Sequence, residues 1–507
     1  MRTVNSIRNI IYSVSGQFIS ILINFISRSI FIKILGEYFL GLNGLFINII
    51  SVLSLAEMGI GSAIIYGLYE PLAKDDKDKV RKLIKFYKKA YRNIGIVVFF
   101  LGIIIVPFLN FIVKDKSGLK GNGIEIIFIL FLINTVITYF YSYKRTLLIA
   151  DQKSYIDNIY KYLYFTILNV IQIIILVITK NYLLYLIVQI LVSFFENYSI
   201  SKKIDKIYPW IKEEEEELEI SEKNKLIKNV KALLLHKIGG TLVLSTDNII
   251  ISSFVGIKWV GLYSNYLLVV NAINSIIGQI FIALTGSVGN LTNSETKEKA
   301  YEIYKVIYLV NYWIISVCSI CIFININDFI NIWIGKEYLL STNVVLIICI
   351  NFYITGMRKA VSIYKDTYGL FYQDRYKAIV EGILNIVISM AFSIKFGIIG
   401  VLLGTLISSI LTCFWIEPYV LFKYGFGIKL GEYMKKYIIN LLIAIMIGVL
   451  IYKICSLVIV DSWFKLILKA IISFVLANLS LVLINLKKKE FKYLYNMLFK
   501  IMIKMKR

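Results

Sequence analysis

Apolar stretches of about 20 residues follow one another along almost the whole chain, and that is the length a helix needs to cross a bilayer. Fourteen are expected: 10–34, 40–67, 93–113, 123–147, 157–179, 182–200, 229–254, 260–285, 303–326, 342–364, 376–394, 397–415, 434–454 and 464–486. Lipid offers backbone N–H and C=O groups no partners, so such spans must be helical. The composition agrees: 58% of the 507 residues are hydrophobic and 17% charged, with mean hydropathy +0.74. The expected fold is an all-α polytopic membrane protein.

Charge sets its direction. The net charge is +24, which in a soluble protein would raise the question of nucleic acid. Here the basic residues cluster in loops, as on the cytoplasmic side of membrane proteins. Lys74, Lys77, Lys79, Arg81, Lys82, Lys85, Lys88, Lys89 and Arg92 follow the second span, whereas Gly36–Leu40, after the first, has no Lys or Arg. With both termini cytoplasmic, every basic loop and the tail KKKEFKYLYNMLFKIMIKMKR fall on one side. The acidic run EEEEELE (213–219) lies between spans six and seven, as a solvated linker or a docking segment. The pair Cys318 and Cys321 has CxxC spacing but no second pair, and reads as small apolar helix residues.

The linker separates two sets of six spans, and a short repeat ties them together. LGEYFLGL (35–42) matches VGIKWVGL (255–262) at a constant offset of 220 residues, with Gly36 on Gly256 and Gly41 on Gly261. Each stretch joins the first two spans of its set. Two lobes of the same orientation imply a pseudo-twofold axis along the membrane normal, a transporter plan. The expected organisation is an N-lobe at 1–200, a charged linker at 201–228, a C-lobe at 229–415, two further helices at 416–486 and a basic tail at 487–507.

Polar residues inside the spans point to function. Ser13, Gln17, Ser20, Asn24 and Ser27/Arg28 recur at helical spacing on one face. Such a stripe faces either neighbouring helices, through hydrogen bonds, or a hydrated cavity. Intramembrane cations arise in both halves: Arg28 and Arg145, then Lys237 and Arg358. Asn248, Asn271 and Asn274 add amides. The acids are fewer: Glu57, Asp247 and Glu381. A surplus of cations favours an anionic ligand, above all a diphosphate, which suits the guanidinium fork. Amides and hydroxyls suit sugar. No GxxxxGK[ST] phosphate loop is present.

These residues carry a resemblance. SRSIFIKILGEYFLGLNGLF (27–46), LSLAEMGIGSAI (53–64), STDNIIISSFVGIKWVGLYSNY (245–266), SVGNL (287–291) and GILNIVISMAFSIKFGIIGVLLGT (382–405) resemble the Wzx-type polysaccharide flippases of the multidrug/oligosaccharidyl-lipid/polysaccharide exporter superfamily. The resemblance implies two six-helix lobes in a V around a cationic cavity, with two extra C-terminal helices. It also implies transfer of a lipid-linked oligosaccharide, of the undecaprenyl-diphosphate type, to the outer leaflet of the bacterial cytoplasmic membrane. Energy would come from an H⁺ or Na⁺ gradient, with no other cofactor and no enzymatic step. Membrane lipids, a polysaccharide polymerase and other glycan-assembly proteins are the implied partners, and nucleic acid is not.

Within that reading Arg28, Asn24, Lys237, Asn248, Arg358, Arg145, Asn271 and Asn274 are candidate contacts for diphosphate and sugar. Glu57, Asp247 and Glu381 are candidates for ion coupling or charge pairing. Glu57 has two open roles: a partner for a cation such as Arg28, or the group that takes up the coupling ion. The competing functions are a multidrug exporter of the same superfamily, a membrane polymerase or ligase, and a non-transporting member of a glycan-assembly complex.

Overall fold

The computed structural model describes residues 2–57, 60–113, 123–213, 218–219, 222–223, 241–243 and 245–496. The described residues form helices and no strands. Their order is α1 (Arg2–Leu53), α2 (Ile60–Ala73), α3 (Lys77–Ile105), α4 (Leu109–Ile112), α5 (Gly123–Ala150), α6 (Ser154–Thr179), α7 (Tyr182–Ile207), α8 (Ile257–Ser294), α9 (Lys297–Ile334), α10 (Thr342–Thr367), α11 (Lys377–Phe396), α12 (Ile398–Leu411), α13 (Cys413–Val420), α14 (Gly431–Cys455) and α15 (Trp463–Asn485).

Twelve helical stretches among the described residues are long and apolar enough to cross a membrane, against the fourteen expected. The difference arises at two places. The first two expected spans meet within α1 at a kink: Gly36 has non-helical φ 78° and ψ −175°, so this one stretch holds two helices. Half of the seventh expected span, 229–254, falls outside the described residues. What is described of it closes in a π-helical turn, Ile251–Val255.

The chain divides into two compact units, Met1–Ser264 and Asn265–Arg507. In the first, α1 lies along α6, α3 packs on α5, and α5 packs on α7. Small residues permit the close approaches. A Cβ on Gly16 would overlap the Tyr162 ring, and one on Gly102 would overlap Leu132. The two repeat segments meet here. Gly256, with φ 135°, breaks the helix where Gly36 does, 220 residues earlier. Both conformations favour glycine because a Cβ would be strained there. Gly41 lies against the Ile257 carbonyl and Gly261 against the Glu37 carbonyl. Lys258 pairs with Glu37 at 2.9 Å.

Where it is described, the linker lies against α3, with Glu213 and Glu219 still exposed. Glu213 pairs with Arg81, Glu222 pairs with Lys79 at 2.9 Å, and Leu218 is buried beside Lys82, Lys85, Phe86 and Lys89 of α3.

In the second unit α11 and α12 form a tight hairpin turned by Gly397 (φ 57°). Gly400 and Gly404 lie directly on the Phe392 and Ser389 backbone, the small-residue packing common between membrane helices. Asn311 is fully buried and its amide donates to the Gly356 and Met357 carbonyls of α10 at 3.2 and 2.9 Å. Lys469 of α15 reaches Asp328 of α9 at 2.7 Å.

Candidate functional site

Arg28 sits half-buried in α1, eight residues before the break at Gly36. Its Nη1 donates to the Ser264 hydroxyl at 3.0 Å, which in turn donates to the Gly261 carbonyl at 2.8 Å. Tyr185 of α7 is its other polar neighbour. No carboxylate among the described residues pairs with it. An arginine so placed is expensive unless something anionic meets it.

The same 220-residue offset places Asn248 where Arg28 stands, and Ser264 where Gly44 stands. The contacts follow that relation. Arg28 bonds Ser264, and the Asn248 amide nitrogen lies about 4.0 Å from where a Cβ on Gly44 would be. Asn248 is buried, and its carbonyl oxygen has no partner among the described residues. Asp247 beside it is also buried and faces Tyr263.

The rest of the polar stripe on α1 divides into two groups. Ser27 donates to Asn169 at 2.6 Å, and the Ser13 carbonyl accepts from Tyr162 at 3.3 Å; these serve helix packing. Gln17 and Asn24 are half-buried and make no hydrogen bond among the described residues.

The other nominated cations are held by acids. Arg145 bridges Asp157 at 3.0 Å and Glu196 at 2.6 Å, and its neighbour Lys144 bonds Asp205 at 2.6 Å and Ser201 at 2.8 Å. Arg358 grips Glu417 with two hydrogen bonds of 3.0 and 2.8 Å and lies 3.5 Å from Glu381. The spare oxygen of Glu381 accepts from the Cys413 thiol at 2.9 Å. Lys377 joins Glu417 to Asp374, and Asp374 also holds Lys365 at 2.8 Å. Glu417 and Asp374 are each 3% exposed. Arg145 and Arg358 are thus not open cations awaiting a ligand, because nearby carboxylates already pair with them. Lys237 lies outside the described residues.

Glu57 does not meet Arg28. It caps the turn after α1 and faces Tyr139 of α5 and Tyr91 of α3; the Tyr139 hydroxyl also bonds Ser54 at 2.8 Å. In the second unit Asn271 is exposed and Asn274 half-buried.

Sequence reasoning missed Glu417, Lys377 and Asp374. Glu417 stands in WIEPYV, an isolated acid just past the expected end of span twelve. Helicity continues through Pro418 into a π-helical turn, Leu421–Phe426, so this carboxylate is carried inside the unit. Its isolation between apolar residues was the available signal.

No family model and no curated protein match the sequence. Solved structures do. The lipid II flippase MurJ, in an inward closed conformation, superposes with TM-score 0.68 at 15% identity over 94% of this chain and 99% of its own. The chain has the fold of MurJ. An inward-facing multidrug resistance MATE family transporter of the MOP superfamily matches with TM-score 0.59, 14% identity, 81% of this chain and 98% of its own. A point mutant of the Vibrio cholerae MATE transporter VcmN gives TM-score 0.57, 13% identity, 85% and 99%. These neighbours are transporters and a flippase rather than enzymes.

Proposed function

We propose that this chain is a flippase for a polyprenyl-diphosphate-linked oligosaccharide. It would act in the bacterial cytoplasmic membrane with both termini in the cytoplasm, and supply cell-surface polysaccharide synthesis. The observation that carries the reading is Arg28: a half-buried guanidinium, bonded to one hydroxyl, with no acid to neutralise it among the described residues. A diphosphate supplies the missing charge and two rows of acceptors. Asn24 and Asn248, with amide groups still to be satisfied, are assigned to the same headgroup, and Lys237 is assigned to it by charge. Arg145 and Arg358 would contribute only by exchanging a carboxylate for the ligand. Asn271 and Asn274 are assigned to sugar hydroxyls.

The fold supports this choice over drug export. The MurJ match takes in 94% of the chain, the MATE matches 81% and 85%. A cationic drug also wants the opposite charge from Arg28. Transfer would proceed by alternating access, and a coupling ion (H⁺ or Na⁺) can drive it only by binding one conformation better than the other. Glu57, Asp247 and Glu381 are the candidate carboxylates. A polysaccharide polymerase is the expected consumer of the product.

The test is leaflet-to-leaflet transfer of a fluorescent polyprenyl-diphosphate oligosaccharide in liposomes holding the purified protein, with and without an imposed H⁺ or Na⁺ gradient. Gradient-accelerated transfer that falls at least about tenfold in Arg28→Ala, the loss of one charge-assisted contact or more, supports the reading. Arg28→Lys keeps the charge but not the fork, and is expected to fall between the two. Normal flux in Arg28→Ala, or export of cationic dyes with no lipid transfer, overturns it.

A further inference from the structure

The second unit contains a cavity of about 230 Å³ that none of the candidate transport residues lines. Tyr301, Tyr304, Lys305 and Tyr308 of α9, Phe422 of the π-helical turn, and Glu432, Tyr433 and Lys436 of α14 form its walls. This is below the usual size of a drug pocket, so it takes a small group rather than an oligosaccharide.

Its walls are aromatic and its polar groups are incompletely used. Tyr304 is 2% exposed, and its hydroxyl has no hydrogen-bond partner among the described residues. Its ring is fixed by Tyr364, Phe422 and Phe426 at centroid distances of 5.2 to 5.7 Å. Lys305 is half-buried, lies 5.1 Å over the Tyr301 ring, and makes no ion pair among the described residues. Lys436 lies 5.7 Å over the Tyr308 ring and bonds Glu490 at 2.8 Å. Lys488 crowds Lys436. Two lysines, Lys305 and Lys436, and one carboxylate, Glu432, line the cavity, and Lys305 is the lysine without an ion pair among the described residues. A buried hydroxyl donor with two lysines matches one anionic tetrahedral group.

We propose that this cavity binds a phosphate diester or monoester, with Tyr304 and Lys305 as donors and Lys436 as the second cation. Glu432 would accept from hydroxyls on the same headgroup. The first turns of α9 and α14 line the cavity and the segment after α15 bonds to it through Lys436, so it lies at one end of these helices, where the proposal puts the lipid headgroups. Anionic lipids are drawn to such basic ends. The assignment does not depend on the transport reading.

The test uses the full chain in detergent micelles. Phosphatidylglycerol, diacylglycerol and inorganic phosphate are titrated separately, with binding read by native mass spectrometry and by the unfolding midpoint. Saturable binding of phosphatidylglycerol but not diacylglycerol is expected. Lys305→Ala should weaken it about tenfold. Tyr304→Phe, which keeps the ring and the packing, should weaken it by a smaller factor with an unchanged midpoint in the absence of lipid. Inorganic phosphate that displaces the lipid identifies a soluble source for the same site; failure to displace identifies the lipid. Equal binding of diacylglycerol, or undiminished affinity in both variants, overturns the proposal.

Discussion

Gly41 lies on the carbonyl of Ile257, and Gly261 lies on the carbonyl of Glu37. Each glycine touches the residue four positions before the other, so the contact is reciprocal. It joins the two copies of the repeat found in the sequence. Two backbones approach this closely only where both partners lack a side chain.

Replacing either glycine by alanine should therefore force the helices apart. Overpacking of this kind costs typically about 1–3 kcal/mol. We expect Gly41→Ala and Gly261→Ala to lower the unfolding midpoint in detergent. Gly278→Ala, a helical site with open space around it, should leave the midpoint unchanged or slightly raised. Equal midpoints for all three would disprove the contact.

Arg358 and Glu417 form a largely enclosed charge pair, with Lys377 as a third member. Removing one partner leaves the other uncompensated, at about 3–5 kcal/mol. Glu417→Gln should thus destabilise strongly. Adding Arg358→Met to it should recover part of the loss, because the stranded cation is gone. A double mutant that loses the full sum of both single effects would show that the two residues are not coupled.

Glu57 is placed against Tyr91 and Tyr139 and away from Arg28. If it takes up the coupling ion, Glu57→Gln should leave folding intact while gradient-dependent transfer collapses to the rate seen without a gradient. Full transfer with its ion dependence unchanged would remove Glu57 from coupling.

Lys436 and Glu490 tie the segment after α15 to α14. Burial pushes the Glu490 carboxyl up, but the Lys436 hydrogen bond and the surrounding positive charge outweigh it and hold the group below its ordinary value. A carboxylate depressed in the folded state adds stability above its unfolded value of about 4.3, and that stability disappears as pH falls through the lower folded value. The midpoint should therefore drop more steeply between pH 5 and about pH 3 in the native chain than in Glu490→Gln. Parallel pH profiles would show that the pair adds nothing.

Much of the fold was legible because lipid imposes simple rules on a chain. Apolar runs of span length, and the helices and lack of strands among the described residues, follow from the need to satisfy every backbone group in lipid. The repeat at Gly36/Gly256 and Gly41/Gly261 was also legible, since glycine in such positions answers to local backbone geometry and close contact, both of which leave a mark on residue identity. The count of helices was limited only where two helices run on as one stretch through the kink at Gly36 and where part of the seventh expected span lies outside the described residues.

The state of the charges was not legible. By sequence, Arg28, Arg145 and Arg358 differ only in depth along their spans, and all three were candidate contacts for one ligand. Only tertiary structure separates them, by bringing Asp157 and Glu196 to Arg145, Glu417 and Glu381 to Arg358, and the Ser264 hydroxyl to Arg28. The partners are 12 to 236 residues away in the chain. Coulomb energy depends on separation in space and on the surrounding dielectric, and neither is written in the order of residues.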